Sequence, residues 1–309
     1  MASPAAQKHP PPATPLTPPA PLPTSCPYCD LTPALAARSG LHWHDHWRRV
    51  GWPEYVAVPA LFATTLAIEL AVEPNDEADW NRPILFDTPV RDVLRIDSAQ
   101  GRVTAGTVSD VLVAWEILHP VVIDTLFVAW AWRDSPDVAW QMFVIDAQAF
   151  ALTTLLNDIT KRITSRARPW VQTGDCATNP DGEECGYGKP NRSFYSGHAA
   201  NSATGAGLIC AHHTQLRLYK NPILDTGTCV LAVVGTALTG ALRISSDSHW
   251  ATDVLTGHVL GYVSGYLVPT LLYYQEFRVV PEEDPRSFVA VPVPFVQDGA
   301  LGLGVLGLF

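Results

Sequence analysis

Three clusters of side chains between Lys161 and Asp253 carry residue types that could do chemistry together: KRITSRARP over 161–169, SFYSGH over 193–198, and RISSDSHWATD over 243–253. Each sets cations or imidazoles beside small residues at the edge of an apolar segment, where charge costs free energy unless a partner compensates it. An anionic phosphate is the partner this chemistry fits. In the third cluster His249 and Asp253 stand four apart, so on a helix they share a face and the carboxylate can orient the imidazole as nucleophile or base. Such a pair serves structure as often as catalysis. Arg243 adds a planar fork of donors suited to phosphate oxygens. In the second cluster Ser193 or Ser196 caps a helix, Gly197 admits a ligand to its backbone N–H groups, and His198 could protonate a leaving oxygen. By itself this is only a capped helix with a surface histidine. In the first cluster Lys161 and Arg168 lie seven apart, which returns them to one helical face before Pro169 ends the helix. Alone, it reads as a solvated basic helix end.

The elements that must hold these clusters are long apolar segments. Six can be read as membrane-length helices: about 55–72, 108–130, 138–157, 198–211, 227–242 and 253–274. The second is the weakest, because Asp110, Glu116 and Asp124 lie in it, and the third contains Asp146. Such buried acids could mark an ion path, but pairing between helices is the preferred reading. The fourth is rich in Ala, Ser, Thr and Gly, which suits close helix packing. Around this body, residues 1–49 read as a proline-rich, disordered tail and 279–309 as a C-terminal tail of alternating Pro and Val followed by a Gly/Leu run.

Charge sets orientation and excludes partners. A formal net charge of −10 over 309 residues argues against nucleic acid, which needs a basic face. No basic stretch with an apolar run and cleavage site opens the chain, so the first span is expected to act as its own signal. Arg48, Arg49, Arg133, Arg217, Lys220 and Arg278 fall on one side of the six spans, which the positive-inside rule makes cytoplasmic. The three clusters then lie on the extracytoplasmic side. There Lys161, Arg162, Arg166 and Arg168 violate the rule, and a functional demand is the expected explanation.

Taken together, K-x6-R-P, then SGH, then R-x5-H-x3-D, separated by membrane-length helices, resembles the type-2 phosphatidic acid phosphatase family, which also includes vanadium haloperoxidases. The resemblance implies an all-α, six-span bundle over 50–278 with its site at the extracytoplasmic helix ends, in the cell (inner) membrane. It implies His249 as nucleophile, Asp253 as its orienting partner and His198 as general acid. Lys161, Arg168, Ser196, Gly197 and Arg243 would hold the phosphate. The expected activity is metal-independent hydrolysis of lipid phosphate monoesters or pyrophosphates through a phosphohistidine, with no cofactor. Two rivals stand beside it: a vanadate-dependent haloperoxidase, and a non-catalytic membrane protein that binds lipid head groups. Two positions depart from the family pattern. Tyr195 stands where a proline usually precedes SGH, and Leu242 where a serine usually precedes the arginine.

Cys176 and Cys185, on the expected outer side, are read as a disulfide that pins the loop between the first two motifs. Cys210 and Cys229 fall within spans and are read as small packing residues. Cys26, Cys29, His42 and His46 match C-x2-C-x12-H-x3-H, but the segment lacks a zinc finger's apolar core and carries prolines, so no metal is expected there.

Overall fold

Local signals start and stop the helices. Trp52–Ala71 (α1) follows Gly51, whose N–H is taken by the Glu54 carboxylate at 2.8 Å. Ser98 caps Ala99–Leu118 (α3), its side chain accepting from Gly101 N–H, and the rod continues as a π-helical stretch, His119–Trp132. Pro136 opens Pro136–Thr164 (α4), and Asn221 caps Pro222–Ser245 (α7) by accepting from the N–H groups of Ile223 and Leu224. Gly197–Leu216 (α6) and Ala251–Tyr262 (α8) complete the body; α8 runs on through Val263–Leu267 into Val268–Tyr273 (α9). Short helices Asp87–Leu94 (α2) and Pro169–Gln172 (α5) lie in connections. This computed structural model describes residues 40–72, 77–172, 190–275, 289–297 and 300–308.

The body is helical. Four helices are long and apolar enough to cross a membrane by length and composition: Trp52–Ala71, Ala99–Trp132, Pro136–Thr164 and Pro222–Ser245. The two remaining long helices, α6 and the α8–α9 rod, are among the segments expected to span, but they do not meet that apolar standard. Of these α6 is almost wholly buried among other helices, whereas α8–α9 keeps Leu255, Val259 and Leu271 exposed.

Helix α6 is the axle. It packs against α3, α4, α7 and α8, and from Ala199 to His213 all but one of its residues are buried. Its small residues let the α8–α9 rod approach closely. Gly257, Gly261 and Gly265 recur at four-residue spacing, and a Cβ at each would come within 2.7, 2.2 and 2.1 Å of the carbonyl oxygens of Ser196, Ala200 and Thr204. This is small-xxx-small packing, in which dispersion between backbones substitutes for a solvent-driven force. By contrast α1 is mostly exposed, with Phe62, Leu66 and Leu70 outward, as a lipid-facing helix requires.

Residues 40–49, read from composition as the end of the tail, are instead packed. Trp43 is 1% and Trp47 9% exposed, and both rings meet Tyr274. The basic loops also gather at this end: Arg49 pairs with Asp137, Arg133 donates to the Leu218 carbonyl, and Lys220 to that of Gly40. Beyond the helices, Val289–Gln297 (β1) and Ala300–Leu308 (β2) pair antiparallel, with Val289 opposite Leu308, so part of the C-terminal tail is a hairpin.

Cys176 and Cys185 lie outside the described residues, as do Cys26 and Cys29. The reading of Cys210 and Cys229 as packing residues is corrected: they form a disulfide joining α6 to α7. Nothing in a nineteen-residue separation across two helices announces such a bond; only the packing of α6 on α7 creates it.

Candidate active site

The three clusters meet at one end of the bundle. Lys161 sits in the last turn of α4, His198 in the first turn of α6, Arg243 in the last of α7, and Asp253 in the first of α8. Arg168 arrives differently from the sequence expectation. The helix ends at Thr164 because Ser165 adopts a left-handed conformation (φ 39°), so Arg168 does not share a helical face with Lys161. It lies in the following loop, and the two cations nonetheless line one cavity of about 320 Å³.

His249 is buried in the loop before α8. Its Nδ1 is 2.9 Å from the Ser193 carbonyl oxygen, to which only a protonated Nδ1 can donate. The lone pair is thereby left on Nε2, which faces Arg168 Nη1 at 3.4 Å. Burial, then the charges of Arg168, Arg243 and Lys161, hold the imidazole well below its ordinary pKa. The ring is therefore neutral and nucleophilic at neutral pH. Arg168 is itself lowered to about 10 by burial and by Arg243, yet stays charged at that pH.

Asp253 stands in a different relation to His249 than helical spacing suggests. Its Oδ2 is 3.7 Å from His249 Nδ1, beyond hydrogen-bond length. That oxygen is occupied by Trp250 N–H at 3.0 Å and Ser193 Oγ at 2.5 Å, because a carboxylate in the first turn of α8 is drawn to the unpaired N–H groups there. Asp253 thus fixes Ser193, and the Ser193 carbonyl fixes His249. The other carboxylate oxygen accepts from Arg166.

Arg166 shows that half of the rule-breaking charge is structural. Fully buried, it bridges Asp253 and Asp87, with Asp87 at 2.5 Å, and its guanidinium lies 4.0 Å over the Trp80 ring. Arg162 is likewise neutralised, by Asp158 and Glu69. For Arg162 and Arg166, ion pairing within the fold accounts for the rule-breaking charge.

His198 has a partner that sequence reasoning missed. Its Nε2 is 2.7 Å from Asp110 Oδ1, and the same oxygen takes Arg243 Nη1 at 3.1 Å. The signal was present, an acid inside an apolar span, but it served only to weaken the span. Ser196 is the N-cap of α6, its Oγ accepting from Ala199 N–H at 3.4 Å, and is fully buried. At Gly197 a Cβ would lie 2.9 Å from Asn157 Oδ1 and 3.1 Å from Lys161 Nζ, so a larger residue would push these two side chains from the helix start. Tyr195 does not line an entrance: it is 1% exposed, and its carbonyl accepts from Asn157 Nδ2 at 2.8 Å. Leu242 is half-buried and removes a hydroxyl without leaving a charge unpaired.

The order and spacing of these groups coincide with a known family. The model of the PAP2 superfamily matches residues 144–277. Over that segment the chain is similar to the PAP2 superfamily. The PAP2 segment contains all three clusters and excludes α1, α2 and α3, so Asp87 and Asp110 are supplied from outside it. Among solved structures, the chain is similar to a transmembrane PAP2 type phosphatidylglycerolphosphate phosphatase from Bacillus subtilis. The two share 20% identity over 69% of this chain and 94% of that one, with a TM-score of 0.46. No curated protein matches the chain. The PAP2 match thus covers the three clusters, in a chain with helices long and apolar enough to cross a membrane.

Proposed function

We propose that the protein hydrolyses lipid phosphate monoesters or pyrophosphates through a phosphohistidine on His249, from the extracytoplasmic ends of a six-span bundle in the cell membrane. The observation that carries the chemistry is the tautomer of His249: Nδ1–H is committed to the Ser193 carbonyl and Nε2 is presented to Arg168. The observation that favours a lipid is the cavity holding Lys161 and Arg168, since Thr65 and Glu69 of the lipid-facing α1 also line it. A chain lying along α1 can therefore deliver its head group to the cations.

In the first step Nε2 of His249 attacks phosphorus and the bond to the leaving oxygen breaks, while Lys161, Arg168 and Arg243 balance charge on the equatorial oxygens. His198, whose ring is held by Asp110 through Nε2, gives a proton to the departing oxygen. The positive charge that develops on the phosphorylated ring is supported by Asp253 at 3.7 Å. In the second step water attacks phosphorus, the N–P bond breaks, and His198 takes back the proton. Three cations at the phosphate supply the electrostatics that a metal would otherwise provide.

The test is phosphate release from a panel of lipid phosphates by purified protein in detergent, combined with acid-labile labelling of the enzyme by radioactive substrate. Label on His249 and turnover lost in His249→Ala are expected. Turnover that persists in His249→Ala would overturn the assignment.

A further inference from the structure

Helix α6 carries a second histidine site near its other end. His213 is fifteen residues from His198, about 22 Å along the axis, and fully buried with its neighbours. Its Nδ1 is 2.8 Å from Asp225 Oδ1 at the start of α7, and its Nε2 is 3.3 Å from Asp124 Oδ1 in the π-helical stretch. From the other side His119 Nε2 also stands 3.3 Å from Asp124 Oδ1. We propose that His119, Asp124 and His213 are the ligands of a divalent zinc-class metal ion, with Asp225 supporting His213 from behind.

Four observations carry this. The donor atoms of the three side chains lie within 4.8 Å of one another, and the two 3.3 Å contacts equal the edge of a tetrahedron with bonds of about 2.0 Å, the zinc–nitrogen and zinc–oxygen distance. Second, His119 is 9% exposed, yet neither ring nitrogen makes a hydrogen bond, and Asp124 Oδ2, fully buried, has no partner. Such atoms are costly unless something coordinates them. Third, Asp225 accepts from Nδ1 of His213, which leaves the Nε2 lone pair for a metal and reproduces the carboxylate–histidine–metal arrangement. Fourth, Asp124, paired among the described residues with His119 and His213, is a fully buried carboxylate, and a divalent ion compensates it.

The local backbone explains how the ligands converge. His119 and Asp124 are five apart, which on an α-helix separates them by about 140°. The π winding of His119–Trp132 closes residue i on i+5 and returns both to one side. The Cys210–Cys229 disulfide ties α6 to α7 three residues before His213 and four after Asp225, so the two helices that carry them are crosslinked beside the site. A cavity of about 260 Å³ lined by Glu116, His119 and Thr228 gives an ion a way in. At this position the metal would clamp α3, α6 and α7 together, away from the phosphate.

The experiment uses full-length protein in detergent, stripped with chelator and titrated with Co²⁺. One equivalent per chain is expected, with the visible ligand-field bands of a tetrahedral site, displaced by Zn²⁺ and accompanied by a rise in the unfolding temperature. His119→Ala, which loses no hydrogen bond, removes the bands and the thermal rise, so the test does not depend on a variant that fails to fold. Asp225→Asn weakens affinity ~10–100-fold. A double Cys26→Ser, Cys29→Ser variant binds as wild type. The proposal is overturned if wild-type protein binds no metal saturably, which would leave His213 as an imidazolium between two carboxylates. It is equally overturned if binding survives His119→Ala or disappears with the two cysteines.

Discussion

His198 in the first turn of α6 and His213 near its end are both held by aspartates, but the charged groups around them differ. At the His198 end Arg243 pairs with Asp110, and Lys161, Arg168 and Arg192 line one cavity with Glu69 and Asp158. At the other end Asp124 and Asp225 meet His119 and His213, Asp225 also accepting from the N–H groups of Tyr219 and Asn221, with Asp146 paired to His212 one residue away. A buried excess of either sign is tolerated only where a ligand of the other sign completes it. On the proposals above, the His198 end takes a phosphate and the His213 end a metal. One small-residue helix serves both, because its narrow surface lets four neighbours bring charge to its ends.

The comparison breaks first at His249. Replacing it with alanine should lower turnover about 10⁴-fold or more, whereas His213→Ala should leave the kinetics of the folded fraction near wild type; assaying both with one lipid phosphate checks this. Next comes the support of the outer site. Arg166→Met leaves Asp87 and Asp253 buried without their cation, and unfolding in detergent should register a loss of about 3–5 kcal/mol, with Arg166→Lys losing less. Asp110→Asn should cost about 10²-fold in kcat, since the ring of His198 loses the carboxylate that orients it; an unchanged kcat would detach Asp110 from the chemistry.

A smaller effect should appear in the pH profile. Burial and neighbouring cations lower the His249 pKa, and the neutral ring is the nucleophile, so the acid limb of kcat/KM should lie below pH ~6.5. Arg168→Gln removes one of those cations and should move the limb upward as well as lowering the rate. Smallest of all, Arg49→Ala breaks an exposed pair with Asp137 at the basic end. Thermal unfolding should detect less than about 1 kcal/mol.

Much of the outer site is legible in sequence because its residues sit at helix ends within ordered motifs. Lys161, His198, Arg243 and His249 are found where their spacing puts them. The orientation of His249 was not legible: helical spacing nominates Asp253, yet the first turn of α8 claims that carboxylate and the Ser193 carbonyl takes its place. Asp87 and Asp110 were invisible as site residues, because each reaches the pocket from an element far away in sequence. The inner cluster was hidden for the same reason, its members being drawn from α3's π-helical extension, α6 and α7. The two tryptophans of 40–49 were assigned to a tail because proline-rich composition runs up to them, while their burial depends on Tyr274.

By itself, then, the sequence determined the apolar helices, the small-residue character of α6 and the residue types gathered in the three clusters, because each rests on local composition and short spacing. Only the tertiary structure decided which carboxylate serves which cation, which cysteines join, and which histidines converge. Those outcomes depend on how helices distant in sequence approach one another, and the glycines that permit the approach announce a close contact without naming its partner.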